Sequence, residues 1–196
     1  AAPCRSVSWP VDAGHGDGIV NKDQGASAEI INGKLRVLGK KGNFTKGSIH
    51  IREGIINGQI TGRLEELFKE AGAVVIKTND KKKFDEDDGY ERITDVDWMK
   101  YADAFLSIHA NSISTTNECT EVTGFNVYTR AQNNDPNTEQ FAKNIINELK
   151  KVSEGNSKIQ TPGSSNDAML EKTNDLRKSV LIETGFVCNK SDVDNL

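Results

Sequence analysis

Apolar, β-branched runs recur along the chain at Ser6–Gly14 (SVSWPVDAG), Ala73–Asp80 (AVVIKTND), Ala104–Ala110 (AFLSIHA), Gly124–Thr129 (GFNVYT) and Ser179–Phe186 (SVLIETGF). Short runs of this kind read as buried strands. Segments with a helical period lie between them. In Arg52–Gly72 the apolar positions Ile56, Ile60, Leu64, Leu67, Phe68 and Ala71 recur at three and four, and Gly72 is a natural stop. In Pro136–Val152 the stripe is Phe141, Ile145, Leu149 and Val152, with Asn137 as the expected cap, Gln140 reaching back to it, and Lys150 and Lys151 at the C-terminal end. A weaker helix is expected over about 91–102. Strands that are nearly all apolar and alternate with helices predict an α/β fold: one domain over 1–196, a twisted, mainly parallel or mixed sheet, and helices on both faces.

One stretch breaks the rhythm. Asp17–Ser48 is rich in Gly, Asn, Lys and Ser, and a connection that long is often functional. Asn32-Gly33 inside EIINGKLRVLG is a hairpin-turn signal. Ser112–Thr123 reads as a second polar loop, and the charge run KKKFDEDDG as solvated surface.

Composition narrows the classes. The 196 residues suffice for one core, and a net charge of −4 argues against a general nucleic-acid binder, which needs basic surface. No run of eighteen or more apolar residues occurs, so no transmembrane segment is expected. The three cysteines, Cys4, Cys119 and Cys188, form no CxxC pair, which argues against a cysteine zinc knuckle and leaves room for one bridge at most. The GHGDG turn lacks a P-loop or GxGxxG fingerprint, against a phosphate-binding α/β protein.

The candidate chemistry follows a positional rule. His15 lies just past the end of the first strand, His109 at the end of AFLSIH and Glu183 at the end of SVLIE. Ligands of open α/β sheets bind at the carboxyl ends of the strands. A catalytic zinc takes three protein ligands, often two His and a carboxylate, and keeps a fourth position for water. His15 and His109 supply the imidazoles. Glu29, Glu53 and Glu183 compete for the carboxylate. Glu53 heads a helix that packing on the sheet would bring to the crevice, so spacing favours it over Glu29 in the long loop. His50, in SIHIRE, reads as an exposed loop or strand residue and a spare.

Taken in order, VDAGHG, Glu53 at a helix start, SIHAN and ETGFVCN make the chain resemble the zinc-dependent N-acetylmuramoyl-L-alanine amidases of bacterial cell-wall enzymes and phage lysins. The likeness runs over essentially the whole chain. It implies a single α/β domain and one Zn2+ held by His15, Glu53 and His109. Glu183 would be the catalytic carboxylate. Asp12 and Asn111 sit beside ligands and are candidates to orient the imidazoles, the alternatives being a turn cap for Asp12 and a strand terminator for Asn111. The likeness further implies peptidoglycan as substrate and a place of action outside the cytoplasm (periplasm, cell wall, secreted or phage-delivered); a monomer is expected. A peptidase cutting the stem peptide is the alternative, and a non-catalytic wall-binding module is a remoter one, because all four positions are filled.

Three departures stand out. His15 and Glu53 are 53 − 15 = 38 positions apart, longer than the family's short form, which keeps Glu29 in play. Thr78-Asn79-Asp80 stands where the family often has an arginine and a nearby aspartate. The family's C-terminal helix is expected to be cut short at Leu196, with SDVDNL supplying only a cap and a first turn.

Overall fold

The computed structural model describes residues 7–14, 25–38, 44–78, 102–112, 122–130, 136–153, 159–160, 170 and 178–196. The expected helix over 91–102 and the KKKFDEDDG run fall outside them, Ala102 excepted. The main sheet has six strands: β1 (Ser8–Ala13), β5 (Val74–Lys77), β6 (Phe105–Asn111), β7 (Asn126–Thr129), β8 (Ile159–Gln160) and β9 (Ser179–Phe186). Their order is β5-β1-β6-β9-β7-β8. β5, β1, β6 and β9 are mutually parallel, β7 runs antiparallel to β9, and β8 is parallel to β7. The architecture is the expected α/β domain with a mixed sheet.

Helix α1 (Glu53–Glu70) and helix α2 (Pro136–Leu149) pack against one apolar side of this sheet. Val11, Leu106, Ile108, Val127, Val180 and Ile182 meet Ile60, Leu64 and Phe68 of α1 and Ala142 and Ile146 of α2. Trp9 ties the layers together, with ring centroids 5.0 Å from Phe68 and 5.5 Å from Phe141. Gly72, at φ 81°, ends α1 as its position predicts.

Two details of α2 differ from expectation. The helix starts at Pro136, so Asn137 lies inside its first turn and does not cap it, and Gln140 bonds Asn144. Proline suits the first helical position because its missing N–H has no partner to lose there. Val152 lies beyond the helix and is 81% exposed, while Thr138, Ala142 and Ile146 form the buried line.

The long connection carries its own sheet. β2 (Ser27–Ile31), β3 (Lys34–Val37) and β4 (Ile49–Arg52) are antiparallel in the order β3-β2-β4. The expected hairpin is present: Asn32 (φ 51°) and Gly33 (φ 74°) both take the left-handed conformation of a two-residue hairpin turn. Strand β4 was not anticipated, because His50 and Arg52 mask the single buried position, Ile51. Ala28 and Ile51 join Ala110 and Val187 in a second apolar cluster, which docks this sheet on the main one.

A short helix α3 (Lys190–Asn195) closes the described chain. Its cap is Asn189, whose side chain accepts from the Ser191 and Asp192 amides; Ser191 to Asn195 therefore lie within the helix and do not open it, and Leu196 is its C-cap.

Candidate active site at the strand ends

From β1 the chain passes to β5 on one side, and later strands build out from β6 on the other. The C-terminal ends of β1 and β6 therefore flank the point where strand order reverses, the usual ligand crevice of an open α/β sheet. Gly14 and His109 meet there. The Gly14 amide donates to the Ile108 carbonyl at 2.8 Å, and the His109 ring lies against the Gly14 backbone. A Cβ built on Gly14 would stand 2.2 Å from His109 Cε1, so only glycine fits.

Glu53 reaches the same point from the first turn of α1. Its Oε1 lies 3.1 Å from His109 Nδ1 and accepts from the Ala110 amide at 3.2 Å, while Oε2 accepts from the Ala26 amide at 2.6 Å. The carboxylate thus joins the small sheet, the main sheet and the helix, and it is 4% exposed. Glu183, expected at the end of its strand, lies three residues short of it, as the direct neighbour of His109 across the β6–β9 pair; β9 bulges just beyond, with one extra residue between Glu183 and Phe186 against His109–Asn111. Thr184 donates to the His109 carbonyl at 3.0 Å and braces that bulge.

The electrostatics single out Glu183 and His109. Burial pushes Glu183 up to about 7; the His109 charge pulls it down and the Glu53 charge adds to the rise. Its Oε2 is buried with no hydrogen-bond partner among the described residues. Burial alone would lower His109, yet its hydrogen bond to Glu53 and the charges of Glu183, Glu53 and Asp12 outweigh that and raise it. The Tyr128 hydroxyl is raised by burial and by Glu183, and its hydrogen bond with Asn111 opposes the rise.

Several expected residues converge here and others do not. Glu53, His109 and Glu183 come together; His15 lies outside the described residues, one position beyond Gly14. Asp12 is fully buried and accepts from Thr78 Oγ1 at 2.5 Å and Ser107 Oγ at 2.8 Å. Thr78, where the family often has arginine, is therefore a partner of Asp12. Asn111 bonds Tyr128.

Glu29 is engaged elsewhere. Thr45 donates to it through its amide (2.6 Å) and hydroxyl (2.9 Å), Ser48 through its hydroxyl (2.7 Å), and Arg36 lies 3.4 Å away. The Thr45 amide and Ser48 hydroxyl hold its carboxyl below the usual range. His50 is exposed and stacks on Phe44, with ring centroids 4.0 Å apart. Asn57 was missed: fully buried one turn after Glu53, it donates to the Gly14 carbonyl at 2.9 Å. Its spacing of four from Glu53 on a helix was the available signal.

A mixed α/β sheet that brings a histidine and two buried carboxylates together beside its switch point has the layout of an α/β enzyme. The chain is a member of the N-acetylmuramoyl-L-alanine amidase family, whose sequence profile matches residues 10–196.

Solved structures share the fold. The N-acetylmuramoyl-L-alanine amidase AmiC2 of Nostoc punctiforme superposes with a TM-score of 0.62 at 22% identity, over 96% of this chain and 84% of that one. The catalytic domain of CwlV, from Bacillus (Paenibacillus) polymyxa var. colistinus, gives 0.63 at 21% identity, over 96% and 85%. The catalytic domain of the CD27L endolysin, which targets Clostridia difficile, gives 0.58 at 18% identity, over 97% and 87%. No curated protein sequence matches the chain.

Proposed function

We propose that this chain hydrolyses the amide between the lactyl group of N-acetylmuramic acid and L-alanine in peptidoglycan, with one zinc ion held by His15, Glu53 and His109. Membership of the amidase family supports the reaction class. The observation that carries the residue roles is the convergence of Glu53, His109 and Glu183 beside the switch point, with Glu183 raised to about 7.

The donor set fits zinc. Two donors of a four-coordinate zinc, each about 2.0–2.2 Å from the ion, stand roughly 3.3 Å apart. Glu53 Oε1 and His109 Nδ1 are 3.1 Å apart. Among the described residues no three His, Cys, Asp or Glu side chains form a complete ligand set, and the third ligand of this reading, His15, is outside them. When bound, the ion would acidify a water and polarise the amide carbonyl.

The chain's own residues do the rest. Glu53 enters the set with its second oxygen tied to Ala26, which fixes the carboxylate plane. Glu183, ionised and with one oxygen unengaged, takes a proton from the attacking water as its oxygen bonds to the carbonyl carbon. The same carboxyl then gives that proton to the L-alanine nitrogen as the C–N bond breaks. The products are the muramic-acid carboxylate and a stem peptide with a free N-terminal L-alanine. A raised pKa suits a group that must both accept and return a proton near neutrality. The site of action is outside the cytoplasm, where peptidoglycan lies; no helix among the described residues is long and apolar enough to cross a membrane.

Mass spectrometry of products from purified cell wall tests the bond. Glycan strands freed of intact stem peptides are expected. Shortened stems still joined to muramic acid would instead identify a peptidase.

A further inference from the structure

The most buried line of α1 is polar: Glu53, Asn57 and Thr61 follow one another at a spacing of four. Thr61 needs no outside partner, because its hydroxyl bonds the Gly58 carbonyl of its own helix. Asn57 differs. It is fully buried, and its Nδ2 donates to the Gly14 carbonyl 43 positions away in sequence. The amide orientation is fixed by chemistry, since a carbonyl oxygen can only accept. The opposite atom, Oδ1, is buried with no hydrogen-bond partner among the described residues. An orphaned acceptor is a cost that leucine at this helical position would avoid. The residue is better matched to the donor it supplies than to its packing.

The donor acts on a critical peptide. The Gly14 N–H is held by Ile108, its carbonyl by Asn57, and its Cα lies under the His109 ring. Glu53, one turn before Asn57, lies 3.1 Å from the Nδ1 of the same ring. We propose that Asn57 is a positioning residue: by locking the Gly14 peptide it fixes the surface on which the His109 imidazole rests, so that one helix face sets both the carboxylate and the histidine. A ligand held by such an outer partner typically loses about 10- to 100-fold in metal affinity when the partner is removed.

The inference rests on the zinc reading for one of its consequences only. Asn57→Leu is compared with wild type and with Thr61→Val in two measurements: zinc affinity by chelator competition, and the His109 imidazole signals of the metal-free protein by NMR. Asn57→Leu should bind zinc about 10- to 100-fold more weakly and shift the His109 signals, while Thr61→Val leaves both unchanged. Should Asn57→Leu not fold, Asn57→Asp keeps the side-chain volume, puts a carboxylate against the Gly14 carbonyl, and should give the same two changes at neutral pH. A folded Asn57 variant with wild-type His109 signals and wild-type zinc affinity would overturn the proposal, even if it melted earlier. Failure of the wild type to bind zinc would overturn the zinc reading instead, and the His109 signals would still decide the role of Asn57.

Discussion

A methyl group at position 14 has nowhere to go. It would lie 2.2 to 2.4 Å from three atoms of the His109 ring, and moving the ring breaks its contact with Glu53. Gly14→Ala should therefore reduce zinc binding and turnover together, as metal analysis and amino-group release would show. The two contested glutamates separate just as clearly. Glu53→Ala should lower zinc stoichiometry, whereas Glu29→Ala should leave it near one and loosen the turn around Thr45 and Ser48. A zinc content that fell with Glu29→Ala and not with Glu53→Ala would move the ligand into the small sheet. At this scale the sequence was informative where a residue type carried the chemistry: GHG, SIHAN and ETGF each pointed to a strand end. It marked Asn57 only by its spacing of four from Glu53; the Gly14 carbonyl that Asn57 bonds is a partner no side-chain pattern reveals.

The elements explain which residues can meet. The strands of the parallel sheet were legible because burial on both faces leaves near-continuous apolar runs. Strand β4 was not, because it is four residues long, only Ile51 of it is buried, and Ile49 is exposed beside the polar His50 and Arg52. The C-terminal helix shows what a short element needs. Asp192, 6% exposed, accepts from the Phe186 amide at 2.8 Å, the Gly124 amide at 3.0 Å and the Thr123 hydroxyl. It thereby pins α3 to the end of β9 and to the start of β7, beside the strand that carries Glu183. Asp192→Ala would strand two buried amides, at a cost of about 3 kcal/mol. Melting should fall by roughly 6–12 °C for a domain of this size, measured by calorimetry. An unchanged melting temperature would show that the clasp contributes nothing.

Across the whole molecule, the clustered charges make stability depend on pH. Glu183 is raised from 4.5 to about 7, so its protonated form is the one the fold favours. Its contribution is fully present below pH 4.5 and lost as pH rises through about 7. At 1.36 kcal/mol per unit the swing is on the order of 3 kcal/mol. His109, also raised, loses its contribution in the same direction as it deprotonates. The metal-free protein should therefore melt at a lower temperature at pH 8 than at pH 5, and Glu183→Gln should flatten much of that slope. A slope unchanged in Glu183→Gln would place the titrating group elsewhere.

All of this converges on one carboxylate at the sheet's switch point. The most direct measurement is the release of free L-alanine amino groups from purified peptidoglycan by zinc-loaded Glu183→Ala, beside the wild type. The variant should keep its zinc and lose turnover by about 10²- to 10⁴-fold, the usual contribution of a positioned acid–base group. Release at a near wild-type rate would contradict the assignment of Glu183 as the proton-transferring residue.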